Sequence, residues 1–530
     1  MILKYQKLFV IVLLGVVFFV PFFSAQNFSP SSDEVSHLPS GYSYWKTGQI
    51  NLNPQHPPFV KLATSFPLLF MDLDFNSQDP NLAGPFRNEW SFGENFLFSN
   101  DTDRLLMWGR LSVMLFSVLL GFYIYKWASE MFGSTAGFAS LFLYAFMPNI
   151  MAHSQFVTTD VALASFSFIT FYYLWKFSKL KLKKYLVFSG LFLGLALSSK
   201  FSATIFLPVI VFFIFVCVWR FKNEINITIR RFVGTGLMIA IPAFLVLYLT
   251  YFMPTDSGFY IKGLQTVYAD WKPGYEFYLN GAFSQNGWWY YFLEAFLIKT
   301  PIPFLMAFTA SLLFYGKLNI SKLDKAFIFL PMLFFALITS MKAQNVSVRY
   351  LIPSIPFMIL YTGGGLSKIF QSFNFLKFEN VKTSIKVVSI LILVLAGWYV
   401  FSAMKTYPDY LAYFNEFVGG PKKGHKYLDD SNVEWGQDLK RMKDYQTKNP
   451  DIKVVSSWNR LKPEYYGIEN VIPLNDTKWW QKPEGLYAVN TTLLIRMQRL
   501  SETRNDPTLN WLALYKPIDR MGYAFYIFKF

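Results

Sequence analysis

Up to about Met404 the chain alternates long apolar runs with short polar stretches. A helix needs roughly 20 mostly apolar residues to cross the hydrocarbon core of a bilayer. Runs of that kind begin near Leu8, Leu105, Ser134, Asp160, Tyr185, Phe201, Phe232, Phe292, Ala326, Tyr350 and Val387. They predict about eleven transmembrane helices. The first run follows Lys4 and Lys7 and ends in Phe-Phe-Ser-Ala, as a cleavable signal peptide also does. Its apolar stretch from Leu8 to Phe23 is long for a signal core, and it is read as a retained helix.

Beyond Met404 the pattern changes. Residues 404–530 are richer in charge and predict a small α/β lobe, with a helix over Gly436–Lys448 and strands over Ile452–Ser457, Gly485–Ile495 and Tyr523–Phe530. The expected architecture is therefore an all-α polytopic membrane module, residues 1–403, followed by a C-terminal extracytoplasmic α/β domain. There is no repeat of fixed period and no low-complexity tract.

The basic residues orient the module. Lys176–Lys184 holds five lysines and Arg220–Arg231 four basic residues, and Lys317–Lys325 and Lys368–Lys386 continue the series. With the N-terminus in the cytoplasm every one of these loops falls inside. A long first loop over about 26–104, the turn from His153 to Asp160, a second loop over about 254–291 and the C-terminal lobe then lie outside. The expected location is the plasma (inner) membrane.

Composition agrees with a membrane solvent: of 530 residues, 53% are hydrophobic, 20% aromatic and only 15% charged. The excess of 49 basic over 33 acidic residues lies in clusters between apolar runs, which suits anionic headgroups rather than nucleic acid. The single cysteine, Cys217, lies inside an apolar run, so no disulfide frame or thiolate metal cluster is available.

Candidate chemistry collects in the outer pieces. Just after the first helix comes Ser31-Ser-Asp33-Glu34-Val-Ser-His37, and later Asn53-Pro-Gln-His56-Pro-Pro-Phe-Val-Lys61. Adjacent carboxylates at a helix mouth sit where a lipid-borne and a water-borne substrate meet. A partly buried Asp33 is placed to act as a general base, although a solvated acidic pair has the same sequence. His153 and Asp160 bracket a turn. Lys200 lies in Ser-Ser-Lys-Phe-Ser, Lys299 in Ile-Lys-Thr-Pro, and Arg349 opens a helix. Singly, such cations snorkel to headgroups. Together in one pocket they would hold a phosphate, with Arg349 the best candidate because a guanidinium grips phosphate through two hydrogen bonds.

Metal ligation is not expected, since the four histidines show no close pairing and no carboxylate spacing matches a calcium loop. The Asp33-Glu34 pair is the one place for a divalent ion. Gly363-Gly-Gly365 lacks the Lys-Ser/Thr of a nucleotide loop, which disfavours a nucleotide-sugar donor.

Asp33-Glu34 followed by His56-Pro-Pro-Phe-Val-Lys61 resembles the first outer loop of the protein O-mannosyltransferases, glycosyltransferase family 39, and of their bacterial relatives in the GT-C superfamily. Met147-Pro-Asn-Ile-Met-Ala-His153-Ser with Thr158-Thr-Asp160, Ser199-Lys200-Phe-Ser, Gly287-Trp-Trp-Tyr-Tyr-Phe, Lys299-Thr-Pro and Val348-Arg349-Tyr-Leu-Ile-Pro extend it. Tyr413-Phe-Asn-Glu-Phe-Val-Gly-Gly-Pro and Asp429-Asp-Ser-Asn-Val-Glu-Trp435-Gly-Gln-Asp438-Leu are similar to a prokaryotic branch. No segment is long enough for the β-trefoil domain of the eukaryotic members. The resemblance implies an inverting transferase that moves a sugar from dolichyl or undecaprenyl phosphate to a hydroxyl acceptor, without nucleotide or required cofactor. Asp33 matches the catalytic aspartate and Glu34 the acidic neighbour that positions substrate. His56, His153 and Asp160 become substrate-binding candidates, and Arg349, Lys61, Lys200 and Lys299 candidates for the donor phosphate. The acceptor is a protein or a glycolipid such as lipid A or a cell-wall polymer. A transporter of a polyprenyl-linked sugar is the contrasting reading, disfavoured because few charges interrupt the middle of the apolar runs.

Overall fold

The computed structural model describes residues 2–82, 88–219, 225–269, 274–313, 316, 318, 320–372, 383–456, 461–473 and 484–530. Parts of the basic loops, with Arg220, Lys222, Lys317, Lys377 and Lys382, and the last residue of a predicted strand, Ser457, lie outside them. Each of the eleven apolar runs is helical over most of its length. By length and composition, however, five described helices suffice to cross a membrane, or seven if two bent pairs each count as one span. This count by length and composition is smaller than eleven because several runs are interrupted or short. Ser134–Ala145 and Pro148–Ser154 meet at 62°, and Tyr291–Lys299 and Ile302–Leu313 at 114°. Pro148 and Pro301 stand at these breaks, where a proline cannot continue a helix and restricts the residue before it. The run from Tyr185 yields only Lys184–Ser199. The protein is a multi-pass, mainly helical membrane protein.

One large apolar core joins helices from Val10 to Val433. In the first outer loop Glu89–Phe98 forms one helix, and Ser32–Thr47 and Phe59–Ser65, the latter continuing into a short 3-10 turn, form two more that pack together. Gly41 lets them touch: a Cβ there would stand 2.0 Å from the Lys61 carbonyl oxygen.

The C-terminal lobe contains a mixed sheet of five strands. The strands are β3 (Lys453–Ser456), β4 (Val471–Pro473), β5 (Leu486–Asn490), β6 (Asp519–Met521) and β7 (Phe525–Lys529). β3 runs parallel to β4 and β5, while β7 is antiparallel to β5 and β6. A two-stranded hairpin, β1 (Phe277–Leu279) and β2 (Ala282–Ser284), lies in the second outer loop. Alternation along β3 sends Val454 to one face, with Leu439 and Met442 of the Leu439–Lys448 helix, and Val455 to the other, with Leu493 and Met497. The stretch expected as a strand over Gly485–Ile495 is a correction. Its strand ends at Asn490, whose side chain accepts from Leu493 N at 3.0 Å and starts the Thr491–Arg504 helix. The lobe shares a core with the first outer loop, where Val35 and Leu38 join Leu439, Ile452 and Ile527.

Candidate active site

Charged residues gather where apolar helices end. The Ser32–Thr47 helix begins with a capping box: Glu34 N donates to Ser31 O, and Ser31 N and Oγ donate to Glu34 Oε2 at 2.8 and 3.0 Å. This places Asp33 in the first turn. Asp160 is the first residue of the Asp160–Leu180 helix, where the positive end of the helix dipole favours a carboxylate. Lys200 occupies the extended residue after Lys184–Ser199. Arg349 lies in the 3-10 turn Val348–Ser354, entered through Ser347 and Asn432, whose side chains accept from Arg349 N and Val348 N.

These four form a chain of alternating charge. Arg349 Nη1 donates to Asp33 Oδ2 at 2.8 Å and lies 3.9 Å from Asp160 Oδ2, and Lys200 Nζ donates to Asp160 Oδ1 at 2.7 Å. Side-chain exposure falls from 23% at Asp33 to 11% at Arg349 and 2% at Asp160, so Asp33 stands at the mouth. Aromatic rings wall the cations: Lys200 lies 4.6 Å from the Tyr350 ring centre and Arg349 4.2 Å from that of Trp435. Buried polar atoms without a partner remain beside them, namely Arg349 Nε, His153 Nδ1 and Thr158 Oγ1. A ligand with several acceptor oxygens would satisfy such donors.

His37, in the same motif as Asp33, donates from Nδ1 to Val157 O at 3.2 Å as the neutral tautomer. Its ring is 5.4 Å from that of His56, centre to centre. Burial pushes the His37 imidazole down to about 4, against the pull of Asp33. Burial and then Lys200 hold His56 well below its usual value. The unfolded chain protonates His37 near 6.5. Its contribution to stability is therefore complete above about pH 6.5 and is lost as pH falls toward 4, by up to about 3 kcal/mol. His37→Asn keeps a donor for Val157 O without the titration, and its thermal midpoint should fall less between pH 6.5 and 4 than that of the wild type. An unchanged pH slope would exclude this role.

Three candidate residues are occupied elsewhere. Glu34 turns away from Asp33 and is buried, accepting from Arg110 Nε and Nη2 at 2.8 Å each and from Val157 N at 2.9 Å. It anchors the chain and does not face the space where substrate would meet Asp33. Lys61 directs its ammonium to three oxygens, Asn53 O, Asn53 Oδ1 and His56 O, which closes the Asn53–Lys61 loop and uses every proton it has. Lys299 is buried and donates to Leu411 O and Asn432 O. Neither lysine joins the Arg349–Asp160–Lys200 chain. Among the described residues no group of three or more His, Cys, Asp or Glu side chains is arranged to hold a metal ion.

Sequence reasoning missed Arg110 and Trp435. Arg110 had a signal, a guanidinium within an apolar run, which has to find buried partners. Trp435 had only its place in the Asp429–Asp438 motif.

Residues 103–248 match the family model described as "Dolichyl-phosphate-mannose-protein mannosyltransferase". Over that segment the chain is similar to this family. The matched segment is just over a quarter of the sequence and includes Arg110, His153, Asp160 and Lys200. No curated protein matches the chain. Among solved structures, ArnT from Cupriavidus metallidurans bound to undecaprenyl phosphate is similar over 99% of this chain and 98% of its own, at 14% identity and a TM-score of 0.49. The archaeal oligosaccharyltransferase AglB from Archaeoglobus fulgidus, in complex with an inhibitory peptide and a dolichol-phosphate, is similar over 92% of this chain and 69% of its own, at 10% identity and a TM-score of 0.48. The S. cerevisiae protein O-mannosyltransferase Pmt1-Pmt2 complex bound to the sugar donor covers 50% of this chain and 34% of its own, at 17% identity and a TM-score of 0.32. These likenesses are distant.

Proposed function

We propose that this protein is a membrane glycosyltransferase, which takes its sugar from a polyprenyl phosphate and passes it to a hydroxyl acceptor on the outer side of the membrane, with inversion at the anomeric carbon. The observation that carries this reading is the meeting of Asp33, Arg349, Asp160 and Lys200 at the ends of four separate elements. Arg349 and Lys200 supply the positive charge for a departing phosphate, and the partnerless Arg349 Nε is a donor for it. Asp33 is the base. The acceptor oxygen forms its bond to the anomeric carbon, the bond from that carbon to the phosphate oxygen breaks, and the acceptor proton passes to the Asp33 carboxylate. When the donor phosphate draws Arg349, Asp33 loses that hydrogen bond and is freed to take the proton. A nucleophilic second carboxylate, as in a retaining mechanism, is not required.

The N-terminus is cytoplasmic in this reading and the charged cluster faces outward. Sealed right-side-out vesicles loaded with sugar-radiolabelled undecaprenyl or dolichyl phosphate should transfer label to externally added membrane acceptors. Inverted vesicles should do so only after permeabilisation. Partition of the label between protein and glycolipid fractions identifies the acceptor class. Equal transfer by sealed inverted vesicles would refute the orientation, and no transfer from either donor would refute the donor class.

A further inference from the structure

The Asp429–Asp438 stretch follows the last apolar helix, and every residue in it except Asp430 is buried. It runs between the membrane module and the lobe and touches both halves of the candidate site. Trp435 O accepts from Ser32 N at 2.9 Å, and Gln437 O from Ser29 N at 3.0 Å, fixing the start of the helix that carries Asp33. Asn432 Oδ1 accepts from Val348 N at 3.0 Å, and its Nδ2 donates to Tyr291 Oη and Val346 O at 2.9 Å each, fixing the turn that carries Arg349. Between these anchors the Trp435 indole lies 4.2 Å from the Arg349 guanidinium, which among the described residues has a side-chain hydrogen bond to Asp33 alone. Gly436 allows the chain to turn directly after Trp435, with φ of 85°. The lobe clamps the far side of the strap, where Arg496 pairs with Asp429 at 2.5 Å and Asn490 and Thr492 donate to Glu434.

We infer that the Asp429–Asp438 strap completes the active site, and that Trp435 is a positioning residue which holds the Arg349 guanidinium ready for the donor phosphate. This rests on the phosphate role of Arg349 proposed above. It gives the C-terminal lobe a function in donor binding, since the lobe anchors the strap. The electron-rich indole face attracts a flat cation held over it, most strongly where water is excluded. Leucine at 435 fills part of the space without that face.

The test uses the full chain in nanodiscs with undecaprenyl phosphate as the binding probe. Trp435→Leu should weaken binding by roughly tenfold, Trp435→Phe by only about threefold, and adding Trp435→Leu to Arg349→Gln should weaken binding no further. If Trp435→Leu does not fold, Trp435→Phe alone and with Arg349→Gln makes the same comparison at about threefold. Binding by Trp435→Leu within about twofold of wild type, or a full penalty persisting beside Arg349→Gln, overturns the role of Trp435. Unchanged binding by Arg349→Gln itself brings down the phosphate reading, and the inference with it.

Discussion

An Asp33→Asn enzyme should fold, bind donor at least as tightly as the wild type, and turn over at least about a hundredfold more slowly. Positioned proton transfer contributes that much or more. The amide keeps the size of the carboxylate and, through its oxygen, an acceptor for Arg349 Nη1, but it has no basic lone pair for the acceptor proton. Asp33 is the most exposed member of the charged chain, at 23% against 11% for Arg349 and 2% for Asp160, so the substitution buries no new unsatisfied group. Donor affinity has a sign of its own. Asp33 and the donor phosphate compete for the same guanidinium, and removing the negative charge takes away the competitor. Single-turnover kinetics, which isolate the chemical step, together with a donor binding isotherm check both parts. Unchanged turnover under rate-limiting chemistry would eliminate Asp33 as the base.

The apolar runs were legible because hydrophobic length is a local property. What the runs did not show was how proline breaks fold two of them back at 62° and 114°. Asp33 and Glu34 show where reading a site from sequence stops. Neighbours on a helix point about 100° apart, so one faces Arg349 and the other Arg110, and only the phase of the helix decides which. Lys61 and Lys299 fail for another reason. Apart from the Asn53 side-chain oxygen, their partners are backbone carbonyls of Asn53, His56, Leu411 and Asn432, which carry no residue-type signal. Lys200 and Asp160, 40 positions apart, are brought together because each stands at a helix end on the same side of the bundle.

Glu34→Gln should produce the opposite signature to Asp33→Asn, a large loss of stability with little direct effect on the chemical step of the molecules that remain folded. The Glu34 carboxylate is fully buried against Arg110. Arg110 places all five of its N–H groups: Nε and one Nη2 proton on Glu34, the other on Ser29 O, and the Nη1 pair on Ala25 O and Phe28 O. That fork ties the end of the first helix, the entry to the Asp33 helix and the Thr102–Phe132 helix into one joint. Gln keeps the shape but leaves a buried guanidinium without its counter-charge, and its amide N–H₂ faces donors at Arg110 and Ser31. Breaking a buried pair from one side costs about 3–5 kcal/mol, a large share of the roughly 5–15 kcal/mol by which folded proteins are stable. Replacing both partners, as in Glu34→Met with Arg110→Met, should cost less than the two single changes together, because no lone charge is left inside. Thermal midpoints of the two singles and the double, read beside turnover per folded molecule, separate anchoring from catalysis. A Glu34→Gln protein that melts like the wild type and yet loses turnover would return Glu34 to the substrate.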